Sequence, residues 1–446
     1  MPSAVKKIRN LISGGSQLRQ HLIRAAAGSL ILSLSSKLLM LLTSVFLARW
    51  LGAEGYGYYV SSLAALTILS VVATLGFPTL TVRLLSSYYA HQKWSMMRGL
   101  LERSSQVVLA SSLVLAVSGA FIIWMLSKNL SESYIHTLWW AMALLPAVAL
   151  GALRSASLRG LQHVILGQLP ENLITPGLFA VFLIAWLGIA SSSSLEFTPE
   201  IAMASRFLAV AISFVVGAWL LVRKLPAQIR NATPQYHMKE WSRSATPLLF
   251  IIGIGIIGPE ANMLLLSTLG SVESAGIYQA ASRGAELVAF SLVVANMAIQ
   301  PTISKLHSTG EIEQLQKIIK FAARGTLALA LPVALILSAF AKPILTSVFG
   351  PEFAAGALSL GILCAAQVIA AASGSVGQIL YMTGHEKDAF VGIMAGFLAN
   401  ISFSLILIPI WDIEGAALAS ALSIITCNLV LALLVYKRTG LNPTAL

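Results

Sequence analysis

The sequence predicts an all-α polytopic membrane protein: about twelve transmembrane helices in two six-helix lobes, with both termini in the cytoplasm. Three observations predict it. Apolar residues fill 57% of 446 positions and charged residues only 10%, where a soluble domain is about a quarter charged. The apolar residues also come in long runs. Ile31 to Leu47 holds one charge, Lys37, and Val107 to Leu126 and Ala389 to Ile410 hold none. A run of roughly 18 apolar residues spans the hydrocarbon layer as a helix, the form that satisfies its own backbone in lipid. Finally, lysine and arginine sort by loop.

The first six spans are read at 25–48, 58–80, 105–127, 136–153, 172–190 and 202–222. The second six are 246–267, 280–301, 322–341, 355–381, 389–410 and 415–436. The segment from Met1 to Arg24 is basic and polar, and the run after it is too long for a cleaved signal peptide, so that run reads as the first retained helix. Pro146 interrupts the fourth span, and Arg283 and Glu286 stand near the start of the eighth. The division that follows is an amino-terminal lobe 1–222, a cytoplasmic linker 223–245 and a carboxyl-terminal lobe 246–446.

On this reading 23 of the 29 lysines and arginines lie on one side. They include Arg83, Arg98, Arg154, Arg159, Arg230, Lys305 and Arg438. Arg49, Lys128, Arg283 and Lys342 lie on the other side, and Lys37 and Arg206 fall within spans. The positive-inside rule then puts both termini in the cytoplasm and the chain in the cell (inner or plasma) membrane. It also accounts for the net charge of +12 without nucleic acid. The two cysteines, Cys364 and Cys427, lie in apolar runs and give no disulfide framework or metal spacing. The loops are too short to fold as a catalytic domain. No cofactor is expected.

An internal repeat is visible at an offset close to half the chain. Leu51-Gly52 followed by Gly57-Tyr58-Tyr59 matches Leu269-Gly270 followed by Gly276-Ile277-Tyr278. Pro78-Thr79-Leu80-Thr81 matches Pro301-Thr302-Ile303-Ser304. Gly and Pro also simply mark helix ends, but two matches in register favour duplication. Parallel repeats are a transporter architecture, with substrate between the halves near mid-membrane.

The run Phe46-Leu47-Ala48-Arg49-Trp50-Leu51-Gly52-Ala53-Glu54-Gly55-Tyr56-Gly57-Tyr58-Tyr59 resembles the first loop of Wzx-type oligosaccharide flippases, as does Leu75-Gly76-Phe77-Pro78. In the second half Leu264 to Gly270 and Gly276 to Arg283 are similar to them. These flippases form the polysaccharide-transporter branch of the MOP superfamily, beside MATE multidrug exporters and lipid II flippases. The resemblance implies a MATE-like bundle of two lobes. It implies translocation of an undecaprenyl-pyrophosphate-linked oligosaccharide from the inner to the outer leaflet for cell-surface polysaccharide synthesis. It also implies a cationic central cavity.

An ionisable group within a span costs about 2.5–3.5 kcal/mol on insertion scales and usually faces a cavity or a partner. Lys37 sits mid-span among Ser33, Ser35, Ser36 and Thr43. It is either a ligand for the pyrophosphate or half of an ion pair joining two helices. Arg206, Arg283 and Arg49 are further candidate substrate-binding cations, although Arg206 could snorkel and Arg49 could be interfacial. Arg283 and Glu286, three residues apart on one helix, can pair. Glu260 follows Gly253, Gly255, Gly258 and Pro259, where a kink or broken turn is expected. It could take a coupling proton or sodium ion, or pair with Lys37. Gln300, Asn296 and Gln367 are read first as helix-packing residues. Trp50, Tyr56, Tyr58, Tyr59, Trp139 and Trp140 are read as an interfacial aromatic belt.

The leading function is therefore flipping of a lipid-linked oligosaccharide, with membrane lipid around the protein and a polysaccharide polymerase as a candidate partner. The alternative is a MATE-like cation-coupled multidrug exporter, which wants carboxylates in the amino-terminal lobe. A polymerase or ligase would need a His or carboxylate constellation, and the seven histidines are scattered.

Overall fold

The structure is a computed structural model that describes residues 2–190 and 196–445. Side chains are described for all of these except residues 2–27, 30, 187, 189–190, 297–298 and 301. The amino-terminal cations Lys6, Lys7, Arg9, Arg19 and Arg24, and Pro301 of the repeat, lie outside the described side chains.

Among the described residues every regular element is helical. The run Pro2–Thr74 breaks at Gly52, where φ is 68°, and so divides into α1 (2–51) and α2 (53–74). A second break at Leu75 and Gly76 restarts the chain as Phe77–Ala90. Then come α3 (Trp94–Leu126) and α4 (Glu132–Gly160). Next, α5 runs through Val164–Leu169, a π-turn Pro170–Ile174 and Thr175–Ala190. The chain continues as α6 (Pro199–Lys224), α7 (Met238–Leu269), α8 (Val272–Ser308) and α9 (Ile312–Ala339). After two short helical pieces, Ala341–Val348 and Pro351–Gly356, α10 spans Ala357–Ser373 and Val376–Met382. The last run, Glu386–Thr439, breaks at Asp412 into α11 (386–411) and α12 (413–439). Each expected span falls largely on helix, with breaks at 75–76 inside 58–80 and at 374–375 inside 355–381. Among the described residues nine helices are long and apolar enough to cross a membrane, and two of these contain the breaks at Gly52 and Asp412.

Several boundaries differ from the expected ones for local reasons. Pro78 does not end a helix. It lies in the first turn of Phe77–Ala90, where its missing N–H costs nothing. Helix α8 starts at Val272 because Ser271 caps it, its Oγ accepting from the Ser274 amide at 2.9 Å. Arg283 therefore lies about three turns inside the helix rather than near its start. Helix α7 begins at Met238, so the linker is shorter than 223–245. It is strapped to α3, where the Arg98 guanidinium donates to the carbonyls of Arg230 at 2.6 Å and Ala232 at 2.9 Å.

Arg154 is a further correction. It belongs to α4 rather than to a loop, is only 6% exposed and pairs with Glu171 of the π-turn. Its guanidinium also donates to the Ser213 and Phe214 carbonyls of α6 at 3.1 and 2.9 Å. Gly217 leaves the slot it occupies, since a Cβ there would overlap the guanidinium. This node staples α4, α5 and α6. Breaking such a buried pair costs about 3–5 kcal/mol.

Contacts between the first six and last six helices run chiefly through α1 and α2 against α7 and α8. At one end α2 and α8 cross at glycines, reciprocally. A Cβ on Gly57 would overlap the Val272 carbonyl, and one on Gly276 would overlap the Ala53 carbonyl. Exposed apolar side chains such as Val117, Trp124, Leu335 and Ile336 cover the outside of the bundle, a surface suited to lipid rather than water.

Candidate functional site

Lys37 and Arg283 line one cavity of about 200 Å³ between α1 and α8, together with Leu34, Leu38, Glu286 and Phe290. Helix geometry explains why they meet. Lys37 lies about four helical turns before Gly52, and Arg283 lies about as far after Gly270. At about 1.5 Å per residue, Lys37 sits roughly 20 Å along α1 from Gly52, and Arg283 about 10 Å along α8 from Gly276. Among the described residues Lys37 has no carboxylate within ion-pair distance. Arg283 donates to both oxygens of Glu286, at 2.9 and 3.1 Å. With the Gln279 amide oxygen turned toward it, Arg283 also donates there at 3.0 and 3.2 Å. Arg283 is held tightly, with a side chain 15% exposed, while Glu286 is 51% exposed. Among the described residues the cavity thus holds two cations and one carboxylate, which pairs with Arg283, and an apolar wall surrounds them.

Arg206 stands on α6 in an aromatic cradle. Its Nη1 donates to the Tyr59 hydroxyl at 3.1 Å, and its guanidinium lies 5.8 Å from the Phe179 ring centre. Tyr59 and Phe179 stack in turn, nearly parallel, with centroids 6.2 Å apart. Sequence reasoning missed this cradle and assigned Tyr59 to the interfacial belt. Tyr59 is 3% exposed and Tyr56 1% exposed, so neither faces the interface; both pack inside the bundle. Trp139 and Trp140 are exposed, as a belt requires.

Arg49 lies at the glycine end. Its Nε donates to the Val348 carbonyl at 2.7 Å, and its Nη2 donates to the Ser347 carbonyl. These are the last carbonyls of Ala341–Val348, where a cation complements the helix dipole. Beside it, Glu352 accepts from the Ala53 amide at 2.7 Å and so caps the start of α2. Arg49 therefore joins the two halves of the chain and does not line the Lys37 cavity.

Glu260 is half-buried on α7, within electrostatic reach of Arg283, Glu286 and Arg206. Its expected pairing with Lys37 is not found among the described residues. Of the expected kink or broken turn, the turn is not broken: α7 runs through Pro247 and Pro259 as one helix. Gly255, whose carbonyl Pro259 deprives of a donor, lines a second cavity, where a polar ligand or water can serve it. Gln300 spends its amide on Gln378, at 2.8 Å. The best-satisfied polar centre is Asn262, which the sequence did not flag. It donates to the Tyr278 hydroxyl, the Ala416 carbonyl and Ser420 Oγ at 3.1, 3.2 and 2.7 Å, and accepts from Ser404 at 2.8 Å. No group of His, Cys, Asp and Glu among the described residues has the arrangement of a metal site.

The family described as polysaccharide biosynthesis protein matches residues 23–307, and the lipid II flippase MurJ family matches residues 171–446. A protein of Haloferax volcanii, described as a probable low-salt glycan biosynthesis flippase, is 28% identical over 149 residues. That alignment covers 33% of this chain and spans 31% of the relative's length. An inward-facing multidrug resistance MATE family transporter of the MOP superfamily superposes with a TM-score of 0.74 at 14% identity, covering 91% of this chain and 94% of that one. The lipid II flippase MurJ in an inward closed conformation gives 0.69 at 15% identity, with 91% and 87% covered. The fold is that of the MOP transporters, and with two family matches that each span more than half of its length, the chain belongs to the polysaccharide biosynthesis protein family, the Wzx-type flippase branch of that superfamily.

Proposed function

We propose that this lipid-linked flippase carries a polyprenyl-pyrophosphate-linked oligosaccharide from the inner to the outer leaflet of the cell membrane, for cell-surface polysaccharide synthesis. The carrying observation is that Lys37 and Arg283 share one cavity, with Glu286 as the one carboxylate lining it among the described residues. Such a site has an unmatched positive charge. Lys37 is exposed, so a pyrophosphate can reach it, and the two attract more strongly the less water lies between them. Lys37 meets the headgroup as a point charge, and Arg283 is oriented by Glu286 and Gln279 to present its one remaining N–H. The apolar wall of Leu34, Leu38 and Phe290 suits the first isoprene units of the carrier.

Movement follows by alternating access, in which the substrate shifts the population between two arrangements of the halves 1–222 and 246–446. The contacts of Arg49 and Glu352 at the glycine end support a state closed there, with the charged cavity open toward the cytoplasmic leaflet. Glu260 is the acid that would take a coupling proton or sodium ion as the seam rearranges. The cation excess in the cavity argues against export of organic cations, which a basic site would repel.

The experiment is delivery of a lipid-linked oligosaccharide to the outer leaflet. Lys37→Ala is expected to stop delivery at unchanged protein abundance, and Lys37→Arg to retain part of it. Delivery at the normal rate by Lys37→Ala would remove Lys37 from the site.

A further inference from the structure

The second cavity lies wholly among α7, α8, α10, α11 and α12, has a volume of about 470 Å³ and differs in kind from the first. It falls within the range of about 300–1,000 Å³ that small-molecule sites occupy. No lysine, arginine or histidine lines it among the described residues. Its polar wall is made of Asn400, Gln367, Asn428 and Ser282, with Phe397 as an aromatic face and Glu286 at the border with the Lys37 cavity. Asn400 is 5% exposed, and its Oδ1 has no hydrogen-bond partner among the described residues. A buried amide oxygen left unpaired costs about 1–3 kcal/mol, so a polar cavity with such a group awaits a donor. Asn428 spends its Nδ2 on the Ile424 carbonyl at 2.8 Å, which leaves its oxygen as another acceptor.

A ligand fitting these groups offers several O–H or N–H donors and an apolar edge for Phe397, and it carries no negative charge. A neutral sugar with hydroxyl or acetamido groups has that chemistry. An anionic sugar would find no cation in the cavity and would meet the Glu286 carboxylate at its edge. Because Glu286 borders both cavities, one molecule with a pyrophosphate and an adjoining sugar can occupy both. We propose that the carboxyl-terminal cavity binds the neutral sugar next to the pyrophosphate and selects against an anionic sugar there. This rests on the flippase reading above and adds a specificity that reading does not contain.

The test uses the purified full chain and three probes: undecaprenyl pyrophosphate, the same carrier bearing N-acetylglucosamine, and the carrier bearing glucuronate. The N-acetylglucosamine carrier is expected to bind about tenfold more tightly than the bare carrier, the equivalent of one or two well-made hydrogen bonds. The glucuronate carrier is expected to gain nothing over the bare one. In Asn400→Leu the ratio of sugar-bearing to bare affinity falls to about one. Gln367→Leu, at a half-buried position, is the second variant should Asn400→Leu fold poorly, as judged by its thermal midpoint, and it lowers the same ratio. Gln367→Lys is expected to let the glucuronate carrier gain over the bare one. Equal binding of the two sugar carriers by the wild type, or an unchanged ratio in both leucine variants, overturns the cavity assignment while leaving the flippase reading intact. Failure of the wild type to bind any of the three carriers overturns both.

Discussion

At its glycine end, the seam between the two halves is made of backbone. Gly57 and Gly276 let α2 and α8 touch main chain to main chain, and Arg49 and Glu352 engage a helix carboxyl-terminus and a helix amino-terminus across the seam. Deeper along the seam, about 10 Å from Gly276 to Arg283 by helix rise, it is lined by long side chains, Lys37, Arg283 and Glu286, around open volume. The difference teaches how one seam can both close and bind. Backbone contacts need no counter-ion and can be exchanged for water when the end opens. A group of charges with one carboxylate too few offers a place to an anion. On the proposed function, the first end sets which side is shut, and the second sets what is carried.

Substituting at the crossing should break the comparison most. Gly57→Leu puts a side chain into the Val272 carbonyl, and overpacking of this kind costs about 1–3 kcal/mol, or roughly 5- to 150-fold in the closed population. A cysteine reporter near Trp50, read by an impermeant thiol reagent from the outside, should label far faster in that variant. Arg283→Ala comes next. Loss of a hydrogen bond to a charged group is worth about 1.5–3 kcal/mol, so affinity for undecaprenyl pyrophosphate should fall about tenfold or more. Outside labelling should stay slow in that variant, which separates binding from closure. Arg49→Ala, by contrast, should raise outside labelling only a few-fold, about 5-fold for ~1 kcal/mol, because Arg49 is exposed and water replaces its partners. Val117→Ala on the lipid face should change neither readout, its stability effect staying within about 0.5 kcal/mol.

Much of this seam was legible in the sequence because it depends on local signals. Leu51-Gly52 and Leu269-Gly270 announce the two breaks, since few residues other than glycine accept positive φ at Gly52. Lys37 stands out because a lysine in an apolar run needs a reason, and the spacing of Arg283 and Glu286 alone suggests their pair. What could not be read depends on partners far apart in the chain. Arg206 meets Tyr59 across 147 positions, and nothing local distinguishes Tyr59 from the half-buried Tyr58. Arg154 counted as a loop cation because it follows an apolar run, yet Gly217 on another helix makes room for it. The glycines before Pro259 suggested a kink or a broken turn, and the turn is not broken. A proline costs less where its orphaned carbonyl borders a polar cavity, and no sequence pattern reports that border. Asn400 was passed over for the same reason, since its orphaned oxygen is visible only once the surrounding helices are in place.

The claim at the centre is that unmatched positive charge in the seam holds an anionic headgroup. The direct measurement compares the affinities of the purified full chain for undecaprenyl pyrophosphate and for undecaprenol, in the wild type and in Lys37→Ala. The account predicts a preference for the pyrophosphate of about tenfold or more in the wild type, weakened by salt and largely lost in Lys37→Ala. Equal affinity for the charged and uncharged lipids, or a preference that survives loss of Lys37 undiminished, would contradict it.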